Sequence, residues 1–598
     1  MPGLVFCATH YLKPMTTLKT QPASHFKKKG ESKKAASTTD SSAGKSATIL
    51  VKKSKTISRN NTTPKLLDIF EGAGFKHIPS DNIHFHLEQR KGEIDHIFAW
   101  ENVILLCEET SGKDVTKHCT NKIFFHSLIA NDWSKFFEIY RKINTELDNY
   151  IGTNYTAEEL EVRHIYYSED YDLDDGVAKN SLPFHILSRS NAAYFGTLVK
   201  TIAKSAKFEI LKFLAITLNR VGQTRISGGG VTSQSFPGFA LPASHTNYPK
   251  DFAVVSFYAD PMALIQRAYI LRRDGWESPD LSYQRFVRAD KLSEMRDYLS
   301  NNGKVFINNL IVTLPYKALM RDMNGHLIDP KTLTQRTHVE LDLPLELGTV
   351  GVVDGQHRIL AYFEGNGTIE EKIAPLRKRQ NLLVTGIIFP ENYTAEMRVK
   401  FEAELFLSIN DTQTGVHTQL RQDLETIINP ETPLAIGRSI INRLSHDGAL
   451  NGMLQVSQFD PPEKIATGSL GPYVLKPLLR KGGIFYKTWD PTATQNLSDF
   501  NQRQMYIDYS VRELKRLLAG CSQHLQDRWR PVAQGGILST TIIGGLMLLL
   551  ERLTENGHDV KKLDYSKVLE SIKAFDFAPY KSSGWKQLSK DLMKILVL

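Results

Sequence analysis

The chain has 598 residues, room for two or three domains plus tails at ~150 residues per domain. With 41% hydrophobic and 23% charged residues it is neither a wholly disordered nor a fibrous chain, and it has ample apolar material for cores. Four cysteines, Cys7, Cys107, Cys119 and Cys521, form no Cys-x-x-Cys pair, which excludes a disulfide scaffold and fits a reducing cytoplasmic setting.

The net charge of +9 is unevenly placed. Residues 1–65 carry thirteen Lys/Arg against Glu31 and Asp40, a balance of +11, so the remaining chain sums to −2. Lys27-Lys28-Lys29, Lys33-Lys34 and Lys52-Lys53 lie among Ser, Thr and Ala with little to bury. Residues 1–63 are therefore expected to be a disordered basic tail, offering sequence-independent, salt-sensitive attraction to nucleic acid. No apolar segment follows these charges as in a secretory leader.

Residues 64–216 alternate short apolar runs with helical patterns and read as a first domain. Its most informative piece is Gly92–Thr110, where two apolar, partly β-branched runs flank Glu101-Asn102. This predicts two strands joined by a two-residue turn, with paired residues summing to 203. Asp95 then faces Glu108 and Glu93 faces Thr110, all on one side, while Phe98, Val103, Leu105 and Cys107 line the other. Opposed carboxylates ~5 Å apart repel by about 3 kcal/mol at an effective dielectric constant of 20. A divalent cation, a lysine or a proton must offset this, and Mg²⁺ held by Glu93, Asp95 and Glu108 suits the chemistry.

An Asp at the start of one strand and a Glu-x-Lys at the end of the next resembles the PD-(D/E)XK restriction-endonuclease fold. That resemblance implies that Asp95 and Glu108 hold Mg²⁺ while a lysine positions the attacking water. The family's lysine position is Thr110 here, so Lys113, or Lys122 from the following helix, is expected to reach in. Two other cation readings are set aside. Asp170–Gly176 imitates a calcium loop but has Asp175 and Ser181 where Gly and Glu are needed, and reads as an acidic surface loop. The histidines between His77 and His126 lack zinc-finger spacing.

Residues 217–250 carry Gly228-Gly229-Gly230, Pro237-Gly238, Pro242 and Pro249, a breaker density that predicts a linker. A second α/β region spans 251–430. Within it Val350–Val353 reads as a strand, Asp354-Gly355 as a turn, and Gln356 onward as a helix with Ile359, Leu360 and Phe363 toward a core. A helix tip after such a turn is an anion site, to which Arg358 adds a guanidinium fork. His357 is placed to donate or act as a base, and Asp354 to orient water, bind metal or cap the helix.

Asp354-Gly-Gln-His-Arg358 resembles the signature of the DGQHR-domain proteins, which include the B protein of the Dnd DNA-phosphorothioation system and share a ParB/sulfiredoxin-like fold. Ser282-Tyr-Gln-Arg285 and Ile409-Asn-Asp-Thr-Gln413 resemble two further family segments in the expected order. The resemblance implies a pocket in which Gln284, Arg285, Gly355, Gln356, Arg358, Asn410 and Gln413 bind ATP or CTP, with Asp354 and His357 as catalytic groups. No Walker sequence occurs, so a nucleotide must use this other geometry.

Residues 431–598 show helical periodicity. The most apolar run, Ile537–Leu550, is fourteen residues long, too short for the ~20 a membrane span needs, and reads as a buried helix. The expected architecture is α/β (α+β): an N-terminal restriction-endonuclease-like domain, a central DGQHR domain and a helical C-terminal region. The expected function is a DNA-acting protein of a DNA-modification or phage-defence system, working with other proteins of that system. In it, nucleotide bound or hydrolysed at the DGQHR site controls DNA binding or Mg²⁺-dependent cleavage. The rival is a non-catalytic DNA-binding transcriptional regulator of a modification operon.

Overall fold

The computed structural model describes residues 64–173, 175–222, 232–269, 287–411, 424, 426–456, 459–489 and 496–596. The basic tail, Gln284, Arg285 and Gln413 lie outside these residues, as does the side chain of Asn410. The protein is mixed α/β. Fifteen strands are named here in chain order. Those of the first region are β1 (Lys76–Ile78), β2 (Phe85–Leu87), β3 (Arg90–Gly92), β4 (His96–Trp100), β5 (Val103–Thr110), β6 (Glu161–Ser168) and β7 (Phe184–Leu187). The second region holds β8 (Ser233–Leu241), β9 (Ala253–Ala259), β10 (Ala268–Tyr269), β11 (Leu310–Leu314), β12 (Leu319–Arg321), β13 (Thr337–Pro344), β14 (Val350–Asp354) and β15 (Leu382–Ile388).

The first sheet has the order β1-β4-β5-β6-β7. β4 and β5 form the expected hairpin with His96 opposite Cys107, Ile97 opposite Leu106 and Trp100 opposite Val103, the register predicted from alternation. The turn works because Asn102 is fully buried: its amide donates to the carbonyls of Glu159 (2.7 Å) and Arg220 (2.9 Å) and its oxygen accepts from Gly222 N–H (2.8 Å). Beyond β5 the sheet runs parallel, with Glu108 beside Tyr166 and Leu106 beside His164.

Both faces of β5 are covered, as two-sided apolarity requires. Val103, Leu105 and Cys107 join a core with helix α1 (Leu66–Gly72) and the helix Arg189–Ile202. Ile104 and Leu106 pack on the opposite face with Phe125 and Ile129 of helix α2 (Val115–Asn131). Glu108, two residues on from Leu106, therefore projects toward α2.

The second sheet has the order β10-β14-β11-β15-β9-β8-β13-β12. The segment expected to be a linker supplies β8, paired along its length with β13 and with β9 on its other side. Gly228-Gly229-Gly230 lie outside the described residues, and Gly238 serves packing: a Cβ there would lie 2.5 Å from the Ser256 carbonyl oxygen. The division at 217–250 is also not a division of cores. Leu198, Phe208 and Leu211 share one continuous core with Val255, Val312, Val350 and Leu376.

The C-terminal helices Pro433–His446, Phe500–Leu525, Thr540–Glu555 and Trp585–Ile595 enclose a second core. The apolar run ends up there, with Ile543, Leu546, Met547 and Leu550 fully buried against Leu588 and Leu592. Among the described residues no helix is long and apolar enough to cross a membrane.

Candidate functional site

Asp95 and Glu108 meet where β4 begins and β5 ends. Asp95 is fixed by its Oδ2, which accepts the Glu109 backbone N–H at 2.9 Å. Glu108 is fully buried, and the polar face of α2 lies over it. His118, Lys122 and His126 recur at four-residue spacing and so form one stripe along the helix. Each meets a polar group of the sheet: His118 Nδ1 lies 3.1 Å from the Tyr166 hydroxyl, Lys122 meets both acids, and His126 meets Glu108 and His164. Asp114 caps the start of α2 by accepting from Lys117 N–H at 3.1 Å, which sets where the stripe begins.

Lys122 Nζ lies 3.7 Å from Asp95 Oδ1 and forms a close ion pair with Glu108 Oε2. That oxygen is buried and has no hydrogen-bond partner of good geometry, so charge rather than an aligned donor holds it. The Asp95 and Lys122 side chains remain 25% and 21% exposed, so the cluster opens to solvent on one side. Burial, with Asp95 alongside, pushes the Glu108 carboxyl up to about 9 against the pull of Lys122. Burial would lower the Lys122 ammonium, but Glu108 and Asp95 carry it above its ordinary value.

On its inner side Glu108 Oε1 is 2.7 Å from His126 Nε2, and His126 Nδ1 is 2.7 Å from His164 Nδ1. Burial drives His126 well below its ordinary value, and His164 falls to about 4. Both rings are neutral, each pair being a neutral donor facing an acceptor.

The predicted residues are thus partly assembled. Asp95 and Glu108 come together. The lysine is Lys122, whereas Lys113 lies exposed in the turn before α2 and makes no ion pair with either acid among the described contacts. Glu93 stands apart, its Oε2 3.2 Å from His84 Nδ1 on a half-exposed pair. Lys122 is one of the two lysines expected there; the role of His126 beside it was findable from the four-residue spacing of His118, Lys122 and His126, a helical signal rather than a zinc-binding one.

At the second candidate site the strand–turn–helix is present. Gly355 adopts φ +97°, and a Cβ there would lie 2.4 Å from Leu310 Cδ2, so both conformation and space demand glycine. The helix after it, Gln356–Leu360, has only five residues. Arg358, expected to reach for phosphate, turns back: Nη2 donates to Asp354 Oδ2 at 2.9 Å and Nη1 donates to the carbonyl of Asn309. A fork committed to a carboxylate and a carbonyl has little left for an anion. His357 Nε2 accepts from Arg288 N–H at 3.3 Å, and burial lowers its pKa to about 4, so it is neutral and already engaged. Gln356 Oε1 and Asn309 Oδ1 are buried acceptors without partners beside this turn.

Compared with protein-family models, curated proteins and solved structures, the chain matches none. Its chemistry rests on its own geometry. Among the described residues no group of three His, Cys, Asp or Glu side chains converges as a metal cage. What converges instead is a pair of carboxylates, Asp95 and Glu108, with Lys122 between them; two carboxylates are the number Mg²⁺ commonly takes, the rest of its shell being water and phosphate oxygens. A separate cavity of about 1000 Å³ opens between the C-terminal ends of β6 and β7 and the C-terminal helical region, lined by Ser168, Asp172, Arg189, Met453 and Lys464 among others.

Proposed function

We propose that this chain is a Mg²⁺-dependent phosphodiesterase acting on DNA, of the kind that serves DNA-modification or defence systems, with Asp95, Glu108 and Lys122 as its centre. The supporting observation is the convergence of these three side chains from β5, α2 and the approach to β4, with Lys122 Nζ facing both Asp95 Oδ1 and the buried Glu108 Oε2. Asp95 Oδ1 and Glu108 Oε2 would hold the cation. Bound Mg²⁺ supplies positive charge at the scissile phosphate and lowers the pKa of its water. Lys122 performs the office of the family lysine from a helix instead of a strand, orienting the water and offsetting charge on the phosphoryl oxygens. Burying a carboxylate beside a second one costs stability, and a cation-binding role gives that cost a purpose.

The DGQHR turn is read as a regulatory nucleotide site. Two unpartnered acceptors, Gln356 Oε1 and Asn309 Oδ1, suit the N–H donors of a nucleobase better than the engaged Arg358 suits phosphate. The exocyclic amino group that ATP and CTP share would then be the donor recognised.

The second reading is a non-catalytic DNA-binding regulator, favoured by one observation: Lys122 already faces both acids and offsets their repulsion without a metal. Incubating the purified chain with supercoiled plasmid, Mg²⁺ or Mn²⁺, and ATP or CTP separates the two. Cleavage that vanishes in Asp95→Ala, Glu108→Ala and Lys122→Ala supports the enzyme. Metal-independent binding without nicking under every condition supports the regulator.

A further inference from the structure

Glu108 is held from behind as well as approached from the front. His126 and Glu108 are both fully buried, and 2.7 Å separates His126 Nε2 from Glu108 Oε1. His126 cannot swing away, because its other nitrogen meets His164 Nδ1 at 2.7 Å and its ring packs against Phe184 with centroids 4.5 Å apart. His164 is itself buried on β6. When Glu108 is ionised, His126 Nε2–H donates to Oε1 and His126 Nδ1 accepts from His164 Nδ1–H, so the Glu108 oxygen and both His126 nitrogens are satisfied in one tautomer.

A purely structural core would use an apolar side chain here, since a hydrocarbon of similar volume avoids burying two imidazoles. That choice would leave Oε1 without a donor and Glu108 free to rotate. From this geometry we infer that His126, backed by His164, is a positioning residue: it pins Oε1 inward so that Oε2 faces Asp95 and Lys122 in the orientation a divalent cation needs. The inference rests on the metal-site reading above and adds a supporting pair to it. Groups that orient a metal ligand typically govern 10–100-fold in affinity.

The test is Mn²⁺ binding to the full chain, followed by titration calorimetry and by the electron paramagnetic resonance of free Mn²⁺, so that no turnover is required. His126→Leu should weaken Mn²⁺ binding about 10–100-fold, and His126→Gln, which restores a donor toward Oε1, should recover most of the loss. His164→Leu leaves His126 in place but unbacked and should give a smaller loss; it carries the test if His126→Leu does not fold. Wild-type binding that depends on Asp95 but is unchanged within twofold in both leucine variants overturns the positioning role alone. Failure of the wild type to bind Mn²⁺ overturns the metal site, and the positioning role with it.

Discussion

Replacing Glu108 with glutamine should make the protein more stable, increasingly so as pH rises. Glu108 moves from an ordinary 4.5 to about 9 in the folded protein. Between those values the folded state holds one more proton than the unfolded state, so this group's contribution to stability falls with pH, by at most ~1.4 kcal/mol per unit. The whole of it is present below 4.5 and it is exhausted only above about 9. At pH 7 the accumulated cost is on the order of 3 kcal/mol, and loss of the Lys122 pairing in the variant takes back about 1 kcal/mol. Glu108→Gln should therefore gain about 2 kcal/mol at pH 7 and more at pH 8.5. Urea unfolding of both proteins at pH 5.5, 7.0 and 8.5 reads the difference directly. Titrating groups remote from Glu108 cancel between the two proteins. A gain that stays flat across this range, or a loss at pH 8.5, would mean that Glu108 is ionised and the Lys122 pair dominates, and would refute the reasoning. A buried residue that lowers stability points to a task other than folding.

Lys122→Ala should reduce Mg²⁺-dependent plasmid nicking about 10²–10³-fold while Lys113→Ala leaves it within twofold, read from supercoiled-to-open-circle conversion. Asn102→Ala strands two carbonyls and an N–H that now bond a buried amide, and should cost about 3 kcal/mol in urea unfolding with no new cavity large enough to explain it. Gly355→Ala forces a side chain into a left-handed conformation and against Leu310, and a drop of about 2–3 kcal/mol is expected. Arg358→Ala should destabilise the protein by about 2 kcal/mol through the unpaired Asp354 and Asn309 carbonyl, while changing ATP or CTP affinity, followed by calorimetry, less than threefold.

Local periodicity was enough to set the β4–β5 register, the covered faces of the hairpin, the Asp95–Glu108 juxtaposition and the burial of Ile537–Leu550. Alternation and helical spacing are properties of consecutive residues, and a one-residue slip would have sent Leu106 and Glu108 to the wrong face. The same rules failed at Pro237-Gly238. Gly238 answers to the Ser256 carbonyl of the neighbouring strand, a contact that no rule about consecutive residues contains. The choice of Lys122 over Lys113 and the capture of Arg358 by Asp354 and Asn309 required knowing which elements lie together. The backing of Glu108 by His126 and His164 did too, because β6 follows β5 only after fifty residues of helix and loop and then runs parallel to it. A charge's role depends on the partner that desolvates or neutralises it, and in this protein those partners are supplied by packing between segments remote along the chain.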